Sequence, residues 1–491
     1  MKSQLFIYCS LERKKKKFIP IQDPFVKIYC CGPTVYDYLH IGNFRGAIFY
    51  NFLRNWLKFL GYQVDFIYNF TDIDDKILNR SKKEQVDPQS ISKKYIEEFK
   101  KDFKKLKLSP HTHNPKATET ISEIQDLIKK LIELGKAYEV KGDVFYSVKS
   151  CKNYGRLSGR KIEDLAPGSR VEINKNKQDP LDFSLWKKSK PEENWFWESP
   201  WGKGRPGWHI ECTAMIHKFL GSEIDIHGGG SDLIFPHHEN EIAQSEACTN
   251  LTYVRYWVHN NMVITDSNKM SKSLGNIITM RDFLEKYPGE VFKYLILSSH
   301  YRSQVQCSPS TIDQAISSLS RIYSSFVRAQ SRLSHSKNKK PYEKFKKLLE
   351  TSEEKIQEAF NDDFSTPKVF ASFFSVINSF TSLLAYEKLS KEEQAWCSQE
   401  LLLFFKKYGE ILSLFQEPAE SFLQNLDDYF LKQKNITRKQ VDEVVQKREQ
   451  ARDKKDFKTS DELRKQLTEW GIEVRDTNQG SFWEVKKHSF E

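Results

Sequence analysis

Hydrophobic and polar positions change period twice within the first 70 residues. VKIYCC, at 26–31, is a short apolar run suited to a buried strand, and it leads into the turn-rich stretch GPTVYDYLHIG. From about Asn43 to Leu60, Phe44, Ala47, Ile48, Phe52, Trp56, Leu57 and Leu60 recur at helical spacing on one face, and Gly61 stops the run. QVDFIYN then reads as a second strand. Strand, helix, strand in this order predicts a βαβ unit and a parallel, Rossmann-like sheet, with ligands expected at the carboxyl ends of its strands.

The pattern shifts again from about Pro110 to Pro206, where a helix, short strands such as GDVFYSV and the Trp-rich stretch PEENWFWESPWGKGRPGW read as an insertion between two halves of the first domain. The β-rich grammar returns with EIDIHGGG, a helix opening at PHHENE and the strand-like YWVHNNMVI. Beyond Ser308 the periodicity is helical, over 317–330, 341–360, 366–385 and 392–414, with SHSKNKKP at 334–341 as a linker. Two charged helices over 437–470 and a hairpin-like tail, GIEVRDTNQGSFWEV, complete the chain. The expected domains are therefore 1–307, with its insertion at about 110–206, a helical bundle over 308–435, and a small α+β domain over 436–491.

Composition narrows the class. A length of 491 residues exceeds one compact core, and a 38% hydrophobic fraction with 13% aromatics suits several real cores. No apolar run approaches the roughly 20 residues that span a membrane. The N-terminus, MKSQLFIYCSLERKKKK, places its apolar stretch before its lysines, the reverse of a signal peptide, so no export signal and a cytoplasmic location are expected. Eight cysteines without a C-x-x-C pair fit a reducing compartment and leave thiols for burial or metal. A net charge of +11 points to a polyanionic partner.

Two stretches carry chemistry. His40-Ile41-Gly42-Asn43 opens the first helix, whose N-terminus offers unpaired N–H groups and a partial positive charge, with Gly42 leaving room for phosphate. Lys269-Met270-Ser271-Lys272-Ser273 reads as a loop after a later strand; it can bring two cations onto a pyrophosphate as charge develops. Alone, the first is a common tripeptide and the second a solvated lysine-rich loop. In this order and separation they resemble the two signatures of class I aminoacyl-tRNA synthetases. The resemblance implies that His40, Gly42, Asn43, Lys269 and Lys272 bind ATP and promote adenylate formation, with Mg²⁺ accompanying ATP. It also implies that a monomer is the working form. Asn43 departs from the family's histidine; it can still donate a hydrogen bond but carries no charge.

Cys31 closes the first strand, Cys212 lies in GWHIECTAM, and His237 and Glu241 of PHHENE are four residues apart, hence on one helical face. Two thiolates, an imidazole and a carboxylate can make a tetrahedral zinc set, with His209, His227 and His238 as rival ligands; spacing alone leaves open a closed structural zinc or separately buried residues with no metal. Cys30 points to the opposite strand face and reads as core. The four positions resemble, residue for residue, the zinc ligands of cysteinyl-tRNA synthetases, to which GWHIEC, DIHGGGSDL, FPHHENEIAQS and NFTDIDDK are also very similar. That resemblance implies Zn²⁺ gripping the thiolate of L-cysteine. An apolar pocket separates near-isosteres only about 10- to 200-fold, whereas zinc stabilises a deprotonated sulfur and leaves serine's hydroxyl protonated. It further implies Trp208 as the wall of the cysteine pocket and Thr71 on the amino group. His227, before three glycines, reads as serving the substrate pocket or the adenylate, and Asp232, after GGGS, as meeting the ribose or adenine of the adenosine. Asp72, Asp74 and Asp75 suit either a divalent cation or, preferably, a helix N-terminus.

Residues 431–467 hold twelve Lys or Arg against seven Asp or Glu. By charge alone this is a solvated helical face, or one for phosphate contact. REQARDKKDFKTSDELRKQL followed by GIEVRDT resembles the anticodon-recognition end of the bacterial enzymes. This implies that Arg452 and Asp476 bond base edges of tRNA-Cys and that Phe457 stacks, in place of a tryptophan in some relatives. The expected activity is ATP-dependent formation of cysteinyl-adenylate and transfer to the 3′-terminal adenosine of tRNA-Cys. Two other readings share the features: a cysteine ligase acting on an amino sugar, and a non-catalytic tRNA-binding or zinc-sensing protein. The long basic C-terminus opposes the first, and the intact lysine signature and ligand set oppose the second.

Overall fold

The computed structural model describes residues 4–161, 176–191, 193, 195–265, 268–269, 278–334, 336–477 and 480–486. The chain forms two compact units, one of residues 1–281, 299–305 and 356–369, the other of 282–298, 306–355 and 370–491. These differ from the domains expected at 308 and 436: residues 282–298 group with the helical unit, and 356–369 with the sheet-bearing one.

In the first unit the strands Val254–Asn260, Ile224–Gly230, Phe25–Cys30 and Gln63–Tyr68 lie side by side in that order. All pairings are parallel, with Ile28 opposite both Phe66 and Ile226. The chain leaves the inner strand Phe25–Cys30 towards one edge and later returns on its other side through Ile224–Gly230. The order therefore reverses between these two strands, and in such sheets that carboxyl-end crevice is where ligands bind. Cys31 and Gly228–Gly230 sit at that crevice.

The helix Ile41–Phe59 joins the first two strands. The expected single apolar face understates its burial: Arg45, Asn51 and Arg54 are buried with the apolar positions, and Leu60 lies beyond the helix, half-buried. These polar residues are tolerated because they are bonded. Arg45 donates to the carbonyls of Met262, Tyr301 and Ser303, and Arg54 to those of Pro110 and Ser109.

Within the inserted segment, an antiparallel sheet of Ala137–Val140, Asp143–Tyr146, Phe183–Lys188 and Gly204–Pro206 packs with helix Ile121–Glu133 around Leu131, Tyr146, Leu185 and Trp186. Arg205 ties it to the NFTDIDD stretch through Asp75 at 2.5 Å, and Lys187 meets the same carboxylate at 2.7 Å. The three aspartates thus have structural partners. Asp74 caps helix Asp75–Glu84 through the Lys76 N–H at 2.8 Å, and Asp72 accepts from Thr118 at 2.6 and 3.0 Å.

The second unit is built on helices including Gly289–Leu297, Pro309–Leu333 and Lys391–Leu412, and one that the periodicity did not single out, Ala419–Gln433. Phe326, Phe373, Phe405 and Phe415 form its aromatic centre, and Tyr323 stacks on Phe422 at 4.0 Å. Helix Thr366–Tyr386 is, among the described residues, the one long and apolar enough to cross a membrane by length and composition. It is more apolar than the run-length reading suggested; its Phe373, Val376, Ile377 and Phe380 are core residues. The C-terminal segment has helices Arg438–Asp453 and Phe457–Glu469 followed by the hairpin Ile472–Thr477/Gly480–Val485.

Candidate active site and metal centre

A cavity of about 370 Å³ opens at the sheet's reversal point, lined among others by Cys31, His40, Gly42, Asn43, Trp208 and Asp232. Glycine is required at its rim. A Cβ on Gly32 would lie 1.7 Å from the Asn69 carbonyl, and one on Gly228 would lie 2.4 Å from the Tyr50 ring. Helix Ile41–Phe59 points its N-terminus into this space, and the Asn43 side-chain oxygen accepts from the His40 backbone N–H at 3.1 Å. Asn43 therefore serves the helix end through its carbonyl.

The start of the first signature is tied through backbone to residues 278–280, which follow the second signature in the chain. His40 pairs antiparallel with Thr279, the Ile41 N–H donates to the Ile278 carbonyl at 3.0 Å, and Met280 donates to Leu39 at 2.9 Å. Lys269 lies in the short strand Asn268–Lys269, opposite Ile264; Lys272 lies outside the described residues.

Beside the cavity, the Cys31 Sγ is 3.6 Å from the Cys212 Sγ, 3.5 Å from His237 Nε2 and 3.6 Å from Glu241 Oε1. His237 Nε2 and Glu241 Oε1 are 3.1 Å apart. Tetrahedral zinc with bonds of 2.0–2.3 Å separates its ligands by roughly 3.3–3.8 Å; the three distances from Cys31 fall in that range and the His237–Glu241 distance lies just below it, so the set fits after a small outward shift of that pair. Cys212 comes from helix Trp208–Phe219, and Glu241 from helix Glu239–Thr249, one turn after His237. A second set, Cys31, His227, His238 and Glu241, lies equally close together. Its histidines contact the set's own Cys31 and Glu241, with His238 Nε2 3.4 Å from the Cys31 Sγ. His227 Nε2 meets Glu241 Oε2 at 2.9 Å, and His238 Nδ1 meets His259 Nε2 at 2.8 Å, which in turn meets Ser10. The set with two thiols is the softer and better suited to zinc.

Electrostatics already favour a charged cluster. Burial pushes the Cys31 thiol well up, while donation from Cys31 brings Cys212 down to about 6. Burial acts to lower His237, but Glu241 and Cys212 outweigh it and hold the imidazole at about 10. Burial likewise opposes the Glu241 charge, yet His227 and His237 keep that carboxyl well below its usual range.

The other expected residues are distributed as follows. Trp208 is 38% exposed, lines the cavity and stacks on His237 at 4.3 Å. His209 meets His237 Nδ1 at 3.0 Å, which makes it an orienting partner instead of a rival ligand. His227, expected at the substrate pocket, is fully buried and faces Glu241 and Trp257 instead of the cavity. Thr71 is buried and joined to the cavity rim by its backbone bridge to Thr34. Cys30 is buried. Sequence reasoning missed Tyr253, whose hydroxyl donates to Glu241 at 3.0 Å, and the His259–Ser10 pair; none lies in a motif. It also passed over Lys76, a cavity-lining cation inside the NFTDIDDK stretch it had singled out. In the C-terminal segment Phe457 is 66% exposed, and Arg452 and Asp476 bond each other.

Residues 17–317 match the family described as tRNA synthetases class I (C) catalytic domain; residues 355–416 match the DALR domain and 438–483 the cysteinyl-tRNA ligase anticodon binding domain. The fold is shared with Mycobacterium tuberculosis methionyl-tRNA synthetase in complex with methionyl-adenylate, at TM-score 0.60 and 14% identity over 82% of this chain and 93% of that one. Curated relatives named cysteine–tRNA ligase include those of Bdellovibrio bacteriovorus, 50% identical over 98% of this chain and 100% of the relative, and Maridesulfovibrio salexigens, 44% identical over 98% and 99%. Within the class I synthetases, the chain belongs to the cysteine–tRNA ligase family.

Proposed function

We propose that the chain is a cysteine–tRNA ligase. It condenses L-cysteine with ATP to cysteinyl-adenylate, releasing pyrophosphate, and passes the cysteinyl group to the 3′-terminal adenosine of tRNA-Cys. The observation that carries this reading is the convergence of Cys31, Cys212, His237 and Glu241 beside the cavity lined by His40, Gly42 and Asp232.

The attacking carboxylate of cysteine is already ionised, so activation needs alignment and charge stabilisation and no general base. His40 and the N-terminus of its helix receive the ATP phosphates. Gly42 admits them closely, Asp232 meets the adenosine, and Lys269 and Lys272 neutralise the departing pyrophosphate, with Mg²⁺ accompanying ATP. Cys31, Cys212, His237 and Glu241 hold Zn²⁺, which when bound supplies a soft centre that favours a thiolate over a hydroxyl. Trp208 walls the amino-acid pocket. His227 and His209 act from behind it, by orienting Glu241 and His237; Thr71 shapes the rim. The segment 438–483 reads the anticodon. The enzyme works as a monomer in the cytoplasm, a reducing compartment that suits its eight free cysteines.

Aminoacylation of tRNA-Cys with labelled cysteine, wild type beside Cys212→Ser, tests the reading when zinc is quantified and folding checked by circular dichroism. Charging by the wild type, lost together with zinc in the variant, is expected. Adenylate formation without charging, or efficient serine activation indifferent to zinc, overturns it.

A further inference from the structure

Arg448, one helical turn before Arg452, is nearly buried, its side chain only 4% exposed. Its two terminal nitrogens donate to both Asp476 oxygens, at 2.8 and 2.9 Å. The Ser481 hydroxyl donates to Oδ1 of the same carboxylate at 2.8 Å, and Arg452 donates to Oδ2. A carboxylate has about four lone-pair sites, so these donors fill it. A base edge reaches Asp476 only by displacing one of them. Arg452 is in the opposite position: its side chain is 44% exposed, and its guanidinium has five N–H donors, of which the bond to Asp476 takes one.

A purely structural clamp would be complete with the bidentate Arg448–Asp476 pair. Adding a second, half-exposed arginine sets two cations on one carboxylate and restricts a long side chain, for little stability at a surface site. It does present a preorganised planar donor to solvent, and the exposed Phe457 ring lies across the short turn 454–456.

We propose that Arg448 is a positioning residue for anticodon recognition: with Ser481 it fixes the Asp476 carboxylate, which in turn holds Arg452 as the base-reading group. Asp476 then acts through Arg452 and makes no base contact of its own. The inference rests on residues 438–483 being the anticodon-reading segment.

The test is steady-state charging of two transcripts, tRNA-Cys and the same tRNA with its anticodon substituted, by Arg452→Ala, Arg448→Lys, Asp476→Asn and Ser481→Ala, singly and in the Arg452→Ala background. Thermal melting identifies any variant that has lost its fold. Arg452→Ala is expected to raise KM for tRNA-Cys by about tenfold to hundredfold and to erode discrimination between the transcripts, with kcat little changed. Arg448→Lys, which keeps charge but loses the fork, is expected to raise KM about tenfold, and Ser481→Ala about threefold. In the Arg452→Ala background all three are expected to add less than about twofold. Full multiplication of the Asp476→Asn and Arg452→Ala effects would mean that Asp476 reads a base independently, and overturns the proposal. An unchanged KM in folded Arg448→Lys overturns it too. If Arg452→Ala itself alters neither KM nor discrimination, it is the anticodon reading of this segment that fails. Ser481→Ala and Asp476→Asn, which remove little volume, keep the test decisive if Arg448→Lys does not fold.

Discussion

Glu241 and Asp476 are both carboxylates surrounded by donors, yet they occupy opposite dielectric regimes. Glu241 is fully buried among His227, His237, Tyr253 and Cys31, contributed by separate segments of the sheet-bearing unit. Asp476 is a third exposed, with its donors on the neighbouring helix and its own hairpin. In the dry site every partner is needed to justify a charge, so one loss propagates through the cluster. At the solvated site water can replace a partner, and what a loss removes is geometry more than stability.

The largest effect expected from this contrast is at the buried cluster. Cys212→Ser should abolish stoichiometric zinc and lower kcat/KM for cysteine by about a thousandfold or more, since a ligand and the soft character of the site go together. Zinc analysis with ATP–pyrophosphate exchange reads both; retention of zinc at wild-type affinity would break the contrast. One layer out, His227→Gln keeps a donor but loses the ring stacked on Trp257, and a 10- to 100-fold loss of zinc affinity is expected, measured by competition with a chelator.

The same burial makes the sheet-bearing unit acid-sensitive. Burial, then the nearby Arg54 charge, holds His111 down at about 3, while in the unfolded chain it titrates near 6.5. The unfolded state therefore binds the extra proton between these values. Stability is fully present above about pH 6.5 and is lost as pH falls towards 3, at up to about 1.4 kcal/mol per pH unit. Melting temperatures at pH 7, 6, 5 and 4 should fall less steeply for His111→Gln than for wild type; equal slopes would remove His111 from the account. The smallest effect belongs to a partly solvated pair. Burial opposes the Asp75 charge, but Lys187 and Arg205 hold the group down at about 2; Asp75 is half exposed, and Arg205 keeps Glu193 at 2.6 Å as a second partner. Asp75→Asn should cost no more than about 1 kcal/mol, a shift of a few degrees in melting.

The sequence by itself determined what is local. Short apolar runs bounded by turn residues placed the strands Phe25–Cys30 and Gln63–Tyr68, and a 3.6-residue period placed the helix between them, because a side chain's direction repeats with the backbone. The spacing of His237 and Glu241 placed two candidate ligands on one turn for the same reason, and His40, Gly42 and Asn43 of the first signature line the cavity. Tertiary structure decided what depends on partners distant in the chain. It buried His227 behind Glu241 and made His209 an orienting residue. Asp72 and Asp75 went to partners in the inserted segment, and the last acceptor sites on Asp476 were filled from Arg448 and Ser481. A residue type states how many hydrogen bonds a side chain can make; only the packed chain states which are already taken, and a polar group can act on a substrate only with those left over.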